Sequence, residues 1–265
     1  MNIRGIIHKA IAASTLVLAS CSYHGVGHVV SNEVGVPTRR PFRGERLVVH
    51  QNYCTAFKKK TLQPAWVAWT LSANETVGSL KRSNNFVPDA SVRKRYRVET
   101  RDYSGSGYDR GHMCPAADNK HSEQAMSECF YMTNMCPQLH ELNAGAWQAL
   151  EDSCRLWAQR EDSIVVVAGP VFYGKHPATI GKQHKVAVPD AFFKIVISLK
   201  PGNEKAIAFL FPHNRQVQSV GSAVCTVRSL EQLLHFNFFP KLPKQLQERL
   251  ENNSELALWA KTAEF

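Results

Sequence analysis

The chain has 265 residues, of which 44% are hydrophobic and 20% charged, and it carries a formal net charge of +10 at pH 7. It is long enough for one large domain or two small ones and apolar enough for a sizeable core, which excludes a disordered, collagen-like or coiled-coil protein. No stretch approaches the roughly 20 apolar residues of a membrane-spanning helix, and the basic balance favours an anionic partner: nucleic acid, anionic lipid or a polyanionic glycan.

Residues 1–20 read as an export signal, with Arg4 and Lys9 ahead of the short apolar run from Ala10 to Ala19 and no acid before Glu33. The run ends in Leu18-Ala19-Ser20-Cys21, which resembles a bacterial lipoprotein cleavage box and would make Cys21 the lipidated first residue of the mature chain. An ordinary small-x-small cleavage site fits less well, because Leu18 occupies its outer small position. The expected location is therefore outside the cytoplasm, on a bacterial outer membrane or cell surface through a lipid anchor, or else periplasmic or secreted. Residues 21–45 mix Gly, Pro and polar residues without period and read as a tether. Residues 46–265 contain neither linker nor repeat and read as one domain.

Within that domain, β-rich runs recur at Leu47–His50, Trp66–Leu71, Ile164–Ala168, Lys185–Val188, Phe192–Leu199 and Ala206–Phe211. Between and after them lie helical patterns. Trp147, Leu150, Cys154 and Trp157 repeat at three and four residues and predict one buried stripe on a helix from Ala144 to about Gln159. A second helix is expected to open at Pro243 and to carry Leu246, Leu250 and Leu256. Strands and helices without strict alternation argue an α+β fold.

With Cys21 lipidated, six of the seven cysteines remain: Cys54, Cys114, Cys129, Cys136, Cys154 and Cys225. In an oxidising compartment an even six admits up to three disulfides, whose pairing the sequence does not choose. A zinc site from Cys114, Cys129, Cys136 and His140 lacks the close C-x2-C pair that such sites use.

Between Tyr108 and Arg155 the chain concentrates polar residues that a core does not need. Asp109-Arg110-Gly111-His112 leads into Cys114-Pro115-Ala116-Ala117-Asp118; Thr133-Asn134-Met135-Cys136-Pro137-Gln138 and Leu142-Asn143-Ala144-Gly145-Ala146-Trp147 follow, then Glu151 and Arg155. A His takes a proton near neutral pH, an Arg grips phosphate in a planar fork, and Asn or Glu oxygens hold a hard cation. Such a set suits an anionic substrate attacked by an activated water.

The order and spacing of these pieces resemble the DNA/RNA non-specific endonucleases of the ββα-metal fold, a group that includes secreted bacterial nucleases and mitochondrial endonuclease G. Pro64–Trp69, Gly169–Phe172, Val188–Lys194 and Phe238–Pro243 also resemble family segments, so the likeness extends over about residues 47–250. It implies a central antiparallel or mixed sheet flanked by helices. It also implies roles: His112 as general base, Asn143 as the single direct ligand of a Mg2+ (with Mn2+ as a substitute), and Asn134 as support for the hydration shell of that ion. Glu151 would orient water around the metal, while Arg110 and Arg155 would contact the phosphate. Arg82 would reach the scissile phosphate, a role that Lys81 could also fill. Asp109 would stand behind the reacting groups, holding the turn or His112.

Several of these residues have plainer readings. Asn143 sits where a helix N-cap is expected. Glu151 and Arg155, about 80° and about 120° round an ideal helix from it, could form an i,i+4 ion pair worth about 0.3 to 0.5 kcal/mol. Cys114 lies two residues after His112 and Cys136 two after Asn134, and a disulfide between them would pin the two segments together. The function implied is metal-dependent hydrolysis of DNA and RNA to 5′-phosphate and 3′-hydroxyl ends. The alternatives are a surface lipoprotein that binds nucleic acid or another polyanion without catalysis, and a hydrolase confined to small nucleotide diesters.

Overall fold

The computed structural model describes Pro37 and residues 44–260. The export signal, Cys21 and nearly all of the tether lie outside the described residues; the tether's last residue, Glu45, is the first of strand β1. The strands are β1 (Glu45–Val49), β2 (Cys54–Lys58), β3 (Gln63–Ser72), β4 (Asp109–His112), β5 (Met135–Gln138), β6 (Ser163–Val171), β7 (Thr179–Ile180), β8 (Val186–Ala187), β9 (Ala191–Ser198), β10 (Lys205–Pro212) and β11 (Val224–Cys225). The helices are α1 (Glu123–Glu128), the single turn α2 (His140–Leu142), α3 (Gln148–Glu161), α4 (Val227–Leu234), α5 (Lys244–Glu251) and α6 (Ala257–Ala260). None of them is long and apolar enough to cross a membrane.

Seven strands form one sheet in the order β1-β2-β3-β6-β9-β10-β11, and every neighbouring pair in it is antiparallel. The fold is α+β. Strand alternation sorts the core into two layers, because successive side chains point to opposite faces. Val67, Trp69, Leu71, Val166, Ala168, Phe192, Val196, Ile207 and Phe209 line one face, where Leu150, Cys154, Trp157 and Ala158 of α3 cover them. Trp66, Ala68, Val165, Val167, Phe193, Ile195, Ile197 and Ala208 line the other, under Val227 and Leu230 of α4 and Leu250 of α5. Burial on both faces explains why the central strands read as continuous apolar runs. The stripe expected on α3 is the buried one. The helix is shorter than its periodicity implied, since a wide turn over Asn143–Trp147 precedes it, with Gly145 at φ −108° and ψ −118°. Pro243 is the N-cap of α5 rather than its first residue, and Leu256 lies beyond that helix.

Strands β4 and β5 form a separate antiparallel pair in which Arg110 faces Pro137, Gly111 faces Cys136 and His112 faces Met135. Gly111 is required by close approach, for a methyl group there would collide with the Gln138 side chain. The pairing also corrects the expected disulfide. Cys136 faces Gly111, whereas Cys114 lies past the end of β4, in the bend that the Asn134 side chain holds. Cys54, Cys114, Cys129, Cys136, Cys154 and Cys225 are all free thiols.

Candidate active site

Strand β4, the loop after it, the turn before α3 and α3 itself meet at a cleft of about 310 Å3. Its lining includes Arg82, Arg110, His112, Asn143, Glu151 and Arg155, so six of the residues singled out in the sequence converge there. A roomier cleft of about 700 Å3 between residues 101–106 and 179–183 has no such set of proton-transfer and phosphate-gripping groups in its lining.

His112 ends β4 and is only 7% exposed. Its ring lies edge-on to Phe130, with centroids 4.9 Å apart, and tilted against Phe86 at 5.6 Å. The same two rings carry the flanking cations: the Arg82 guanidinium sits 5.1 Å from the Phe130 centroid and that of Arg110 4.4 Å from Phe86. Trp147 donates its indole N–H to the His112 carbonyl at 3.2 Å and ties the strand to the turn before α3. The buried imidazole Nε2 has no hydrogen-bond partner. Burial first, then Arg82 and Arg110, hold the His112 pKa down to about 3, so the ring is neutral at any ordinary pH. The imidazole is thus oriented by aromatic packing.

Asn143 is not an N-cap. Its backbone is helical, at φ −59° and ψ −47°, because the chain already turns at His140. Its Nδ2 donates to Asp109 Oδ2 at 2.9 Å, which fixes the amide and leaves Oδ1 free of that bond. Asp109 also meets His140 Nδ1 at 2.9 Å, so it holds Asn143 and the turn rather than His112. No group of three or more His, Cys, Asp or Glu side chains suited to a metal occurs among the described residues. An ion in this cleft would therefore meet a carboxamide oxygen, water and the nearby Glu151 carboxylate. That donor set fits Mg2+, which keeps most of its waters, and not a closed zinc site.

Glu151 and Arg155 do not pair with each other. Arg155 Nη1 donates to the buried Asp118 at 3.0 Å and Nη2 contacts Asp152, while Glu151 Oε1 lies 3.6 Å from Lys194 Nζ. Asp118 and Lys194 lie on other elements, are buried and would otherwise be uncompensated, which favours these pairings over one between Glu151 and Arg155. Burial pushes the Glu151 carboxyl up to about 7, with Lys194 and Arg155 pulling against it and Asp118 adding to the rise. Lys194 itself is fully buried, its Nζ 4.1 Å from the Trp147 centroid and 5.9 Å from Trp69.

Asn134 departs from its expected role. It is fully buried, donates to the carbonyls of Cys114 and Cys129, each at 2.8 Å, and accepts from Cys114 N at 2.9 Å. With its amide committed to the backbone it clamps the loop after β4 and does not line the cleft. Arg82, not Lys81, lines it.

Four residues behind the cleft carried no assigned role in the sequence: Phe86, Phe130, Asp118 and Lys194. Lys194 had a detectable signal, being a lone charge inside the apolar run Ala191–Ile197. Asp118, which accepts from Trp69 Nε1 at 3.0 Å and from Arg155, had none.

The family described as DNA/RNA non-specific endonuclease matches residues 34–245. A zebrafish (Danio rerio) protein named "Nuclease EXOG, mitochondrial" is 35% identical over 236 residues, covering 82% of this chain and 66% of that protein. A Schizosaccharomyces pombe protein named "Nuclease 1, mitochondrial" is 36% identical, covering 62% of this chain and 56% of its own length. A Nostoc protein named "Nuclease" is 32% identical, with 78% and 77% covered. The chain thus spans between 56% and 66% of the two mitochondrial relatives. Among solved structures, EndoG in complex with EndoGI shares the fold, with a TM-score of 0.71 over 76% of this chain and 88% of that one at 24% identity.

Proposed function

The chain belongs to the DNA/RNA non-specific endonuclease family, and from that membership we propose that it is a Mg2+-dependent endonuclease that hydrolyses DNA and RNA without sequence preference. One observation carries the reading: a neutral imidazole, that of His112, lines a cleft together with three arginines, a carboxamide and a carboxylate.

In this mechanism a phosphodiester enters between Arg82, Arg110 and Arg155. The His112 imidazole takes a proton from the water whose oxygen attacks phosphorus, the bond to the 3′ oxygen breaks, and that oxygen leaves with a proton from solvent. The products are a 5′-phosphate and a 3′-hydroxyl. Phosphate charge offsets Arg82 and Arg110, two of the three causes that hold the His112 pKa down, so the base strengthens as substrate arrives. Arg155, its fork anchored by Asp118 and Asp152, faces charge developing on the phosphoryl oxygens without having to reorganise. Glu151 orients the attacking water. A Mg2+ on Asn143 would supply Lewis-acid polarisation of the phosphate and charge for the leaving oxygen.

These contacts are to phosphate, which carries no base information. DNA and RNA are therefore both substrates. Export through residues 1–20 and lipidation at Cys21 belong to the same proposal and would put the enzyme outside the cytoplasm.

Plasmid and RNA cleavage with Mg2+ or EDTA, beside His112→Ala, tests the reading. Expected is metal-dependent cutting by the parent and a rate about 100- to 10,000-fold lower in the variant. A folded parent that binds but never cuts would make it a polyanion-binding protein instead.

A further inference from the structure

The segment that brings Arg82 and Phe86 to the cleft continues into a run with no acid between Ala90 and Val98 and with Arg93, Lys94, Arg95 and Arg97 within it. Its backbone is fixed. Val92 is buried, and Val92 N donates to Asp89 O at 3.2 Å, Tyr96 N to Arg93 O at 2.8 Å and Arg97 N to Lys94 O at 3.2 Å. Arg97 staples the turn from its side chain, donating to Val92 O at 2.6 Å and Ala90 O at 2.8 Å. That leaves Arg93, Lys94 and Arg95 exposed on a preset frame. Beside them Arg46 of β1 and Lys59 line, with Arg93 and Tyr96, a cleft of about 270 Å3. Tyr96 stands between two cations, 5.1 Å from the Arg95 guanidinium and 5.9 Å from Lys59 Nζ.

What matters is the missing counter-charge. The acids that bracket the run are committed elsewhere: Asp89 is buried against His50 and Thr133, and Glu99 pairs with Arg101 at 2.7 Å. Glu45 is the one carboxylate in the lining of the cleft. Among the described residues, Arg46, Arg93, Lys94 and Arg95 have no acidic partner within ion-pair distance. A rigid, unneutralised cluster with a half-exposed aromatic ring matches a phosphodiester backbone, which offers charge at regular spacing and bases that stack. An anionic lipid surface also offers charge, but neither the regular phosphate spacing of a strand nor bases for the ring to stack on.

We propose that this turn, with Arg46 and Lys59, is a second nucleic-acid contact that grips the backbone of a long substrate whose scissile phosphate lies in the His112 cleft. The proposal rests on the endonuclease reading above and deepens it, because it makes the enzyme favour polymers over short oligonucleotides.

The test compares the full protein with Arg93→Ala/Lys94→Ala/Arg95→Ala on plasmid DNA and on a tetranucleotide, over a range of salt. Each phosphate contact contributes about 0.9 to the slope of log affinity against log salt on duplex DNA. The triple variant is expected to raise KM on plasmid, keep kcat, and lose roughly 2 to 3 units of salt slope; its loss of affinity between 50 and 200 mM salt is then about 40-fold smaller than the parent's. Tetranucleotide turnover stays unchanged. Arg93→Lys/Arg95→Lys keeps the charge and should keep the slope, which separates charge from folding. A triple variant with the parent's KM and slope overturns the proposal, as does one that cuts DNA normally but no longer binds vesicles of anionic phospholipid. A parent that cuts nothing would instead sink the endonuclease reading.

Discussion

Phe193 and Lys194 are neighbours on β9 and face opposite sides of the same sheet. Phe193 enters the layer under α4 and α5, among the apolar side chains of Trp66, Ile195, Leu230 and Phe238, while the buried charges of that layer, Glu231 and Glu251 with Arg228, stay on the two helices. Lys194 enters the layer under α3, in the row of Phe192 and Val196, and there meets Glu151 as well as the Trp69 and Trp147 rings. Both residues are fully buried. Around Phe193 the sheet packs hydrocarbon; around Lys194 it accepts the cost of desolvating charges because the cleft needs them held still.

Substituting those two neighbours separates stability from chemistry. Phe193→Ala should cost about 3 to 5 kcal/mol of stability and leave kcat per folded molecule unchanged. Lys194→Met should cost a similar ~3 to 5 kcal/mol, since it strands a buried carboxylate, and should also lower kcat by disturbing Glu151. The double variant Lys194→Met/Glu151→Leu recovers most of the stability, as replacing a whole buried pair by apolar groups does, without recovering cleavage. Urea unfolding and single-turnover cleavage read both quantities. If Lys194→Met left kcat untouched, the charged face would be no more functional than the dry one.

Acid sharpens the contrast next. The folded pKa of His112 is about 3, against 6.5 when unfolded, so between those values the unfolded chain holds one more proton. Stability is then lost as pH falls below 6.5, by about 1.4 kcal/mol per pH unit for this one group. His112→Ala should remove that component, about 2 kcal/mol by pH 5, in urea midpoints taken at pH 7, 6 and 5. Phe193→Leu, on the dry face, should shift every midpoint by the same amount and leave the slope alone.

The dry face was the more legible of the two in sequence. Strands with both faces buried announce themselves as runs such as Ile164–Ala168 and Phe192–Leu199, and α3 as a stripe of Trp147, Leu150, Cys154 and Trp157. The strands of the site were not visible as strands, because Asp109–His112 and Met135–Gln138 carry chemistry, a glycine and a proline where apolar alternation would be. Their residues were legible only as an ordered set resembling a family. Partners were harder to read than positions: Glu151 and Arg155 suggested each other by helical spacing, yet Lys194 and Asp118 lie 43 and 37 residues from them and only packing brings them near. Asn134 likewise has the same side chain whether it holds water or backbone.

Within the charged face, two buried aspartates show how finely this is set. Asp118 is 1% exposed, and burial raises its pKa even though Arg155 and Trp69 donate to it. Asp89 is 2% exposed, and burial works in the same direction, but hydrogen bonds from His50 and Thr133 outweigh it and bring the pKa down to about 2. Thr133 Oγ1 donates to Asp89 Oδ2 at 2.6 Å, and Asp89 Oδ1 accepts from Ser91 N at 2.7 Å, so this carboxylate anchors the basic turn to the segment just before β5. Because the folded pKa lies below the unfolded 3.8, the stabilisation is present above that value and lost as pH falls through 2. Thr133→Val should therefore cost about 1 to 2 kcal/mol at neutral pH, and the gap between variant and parent should narrow as the pH falls from 4 to 2. A gap that stayed constant over that range would mean that Thr133 contributes by packing and that the carboxylate is held by His50 and Ser91 N without it.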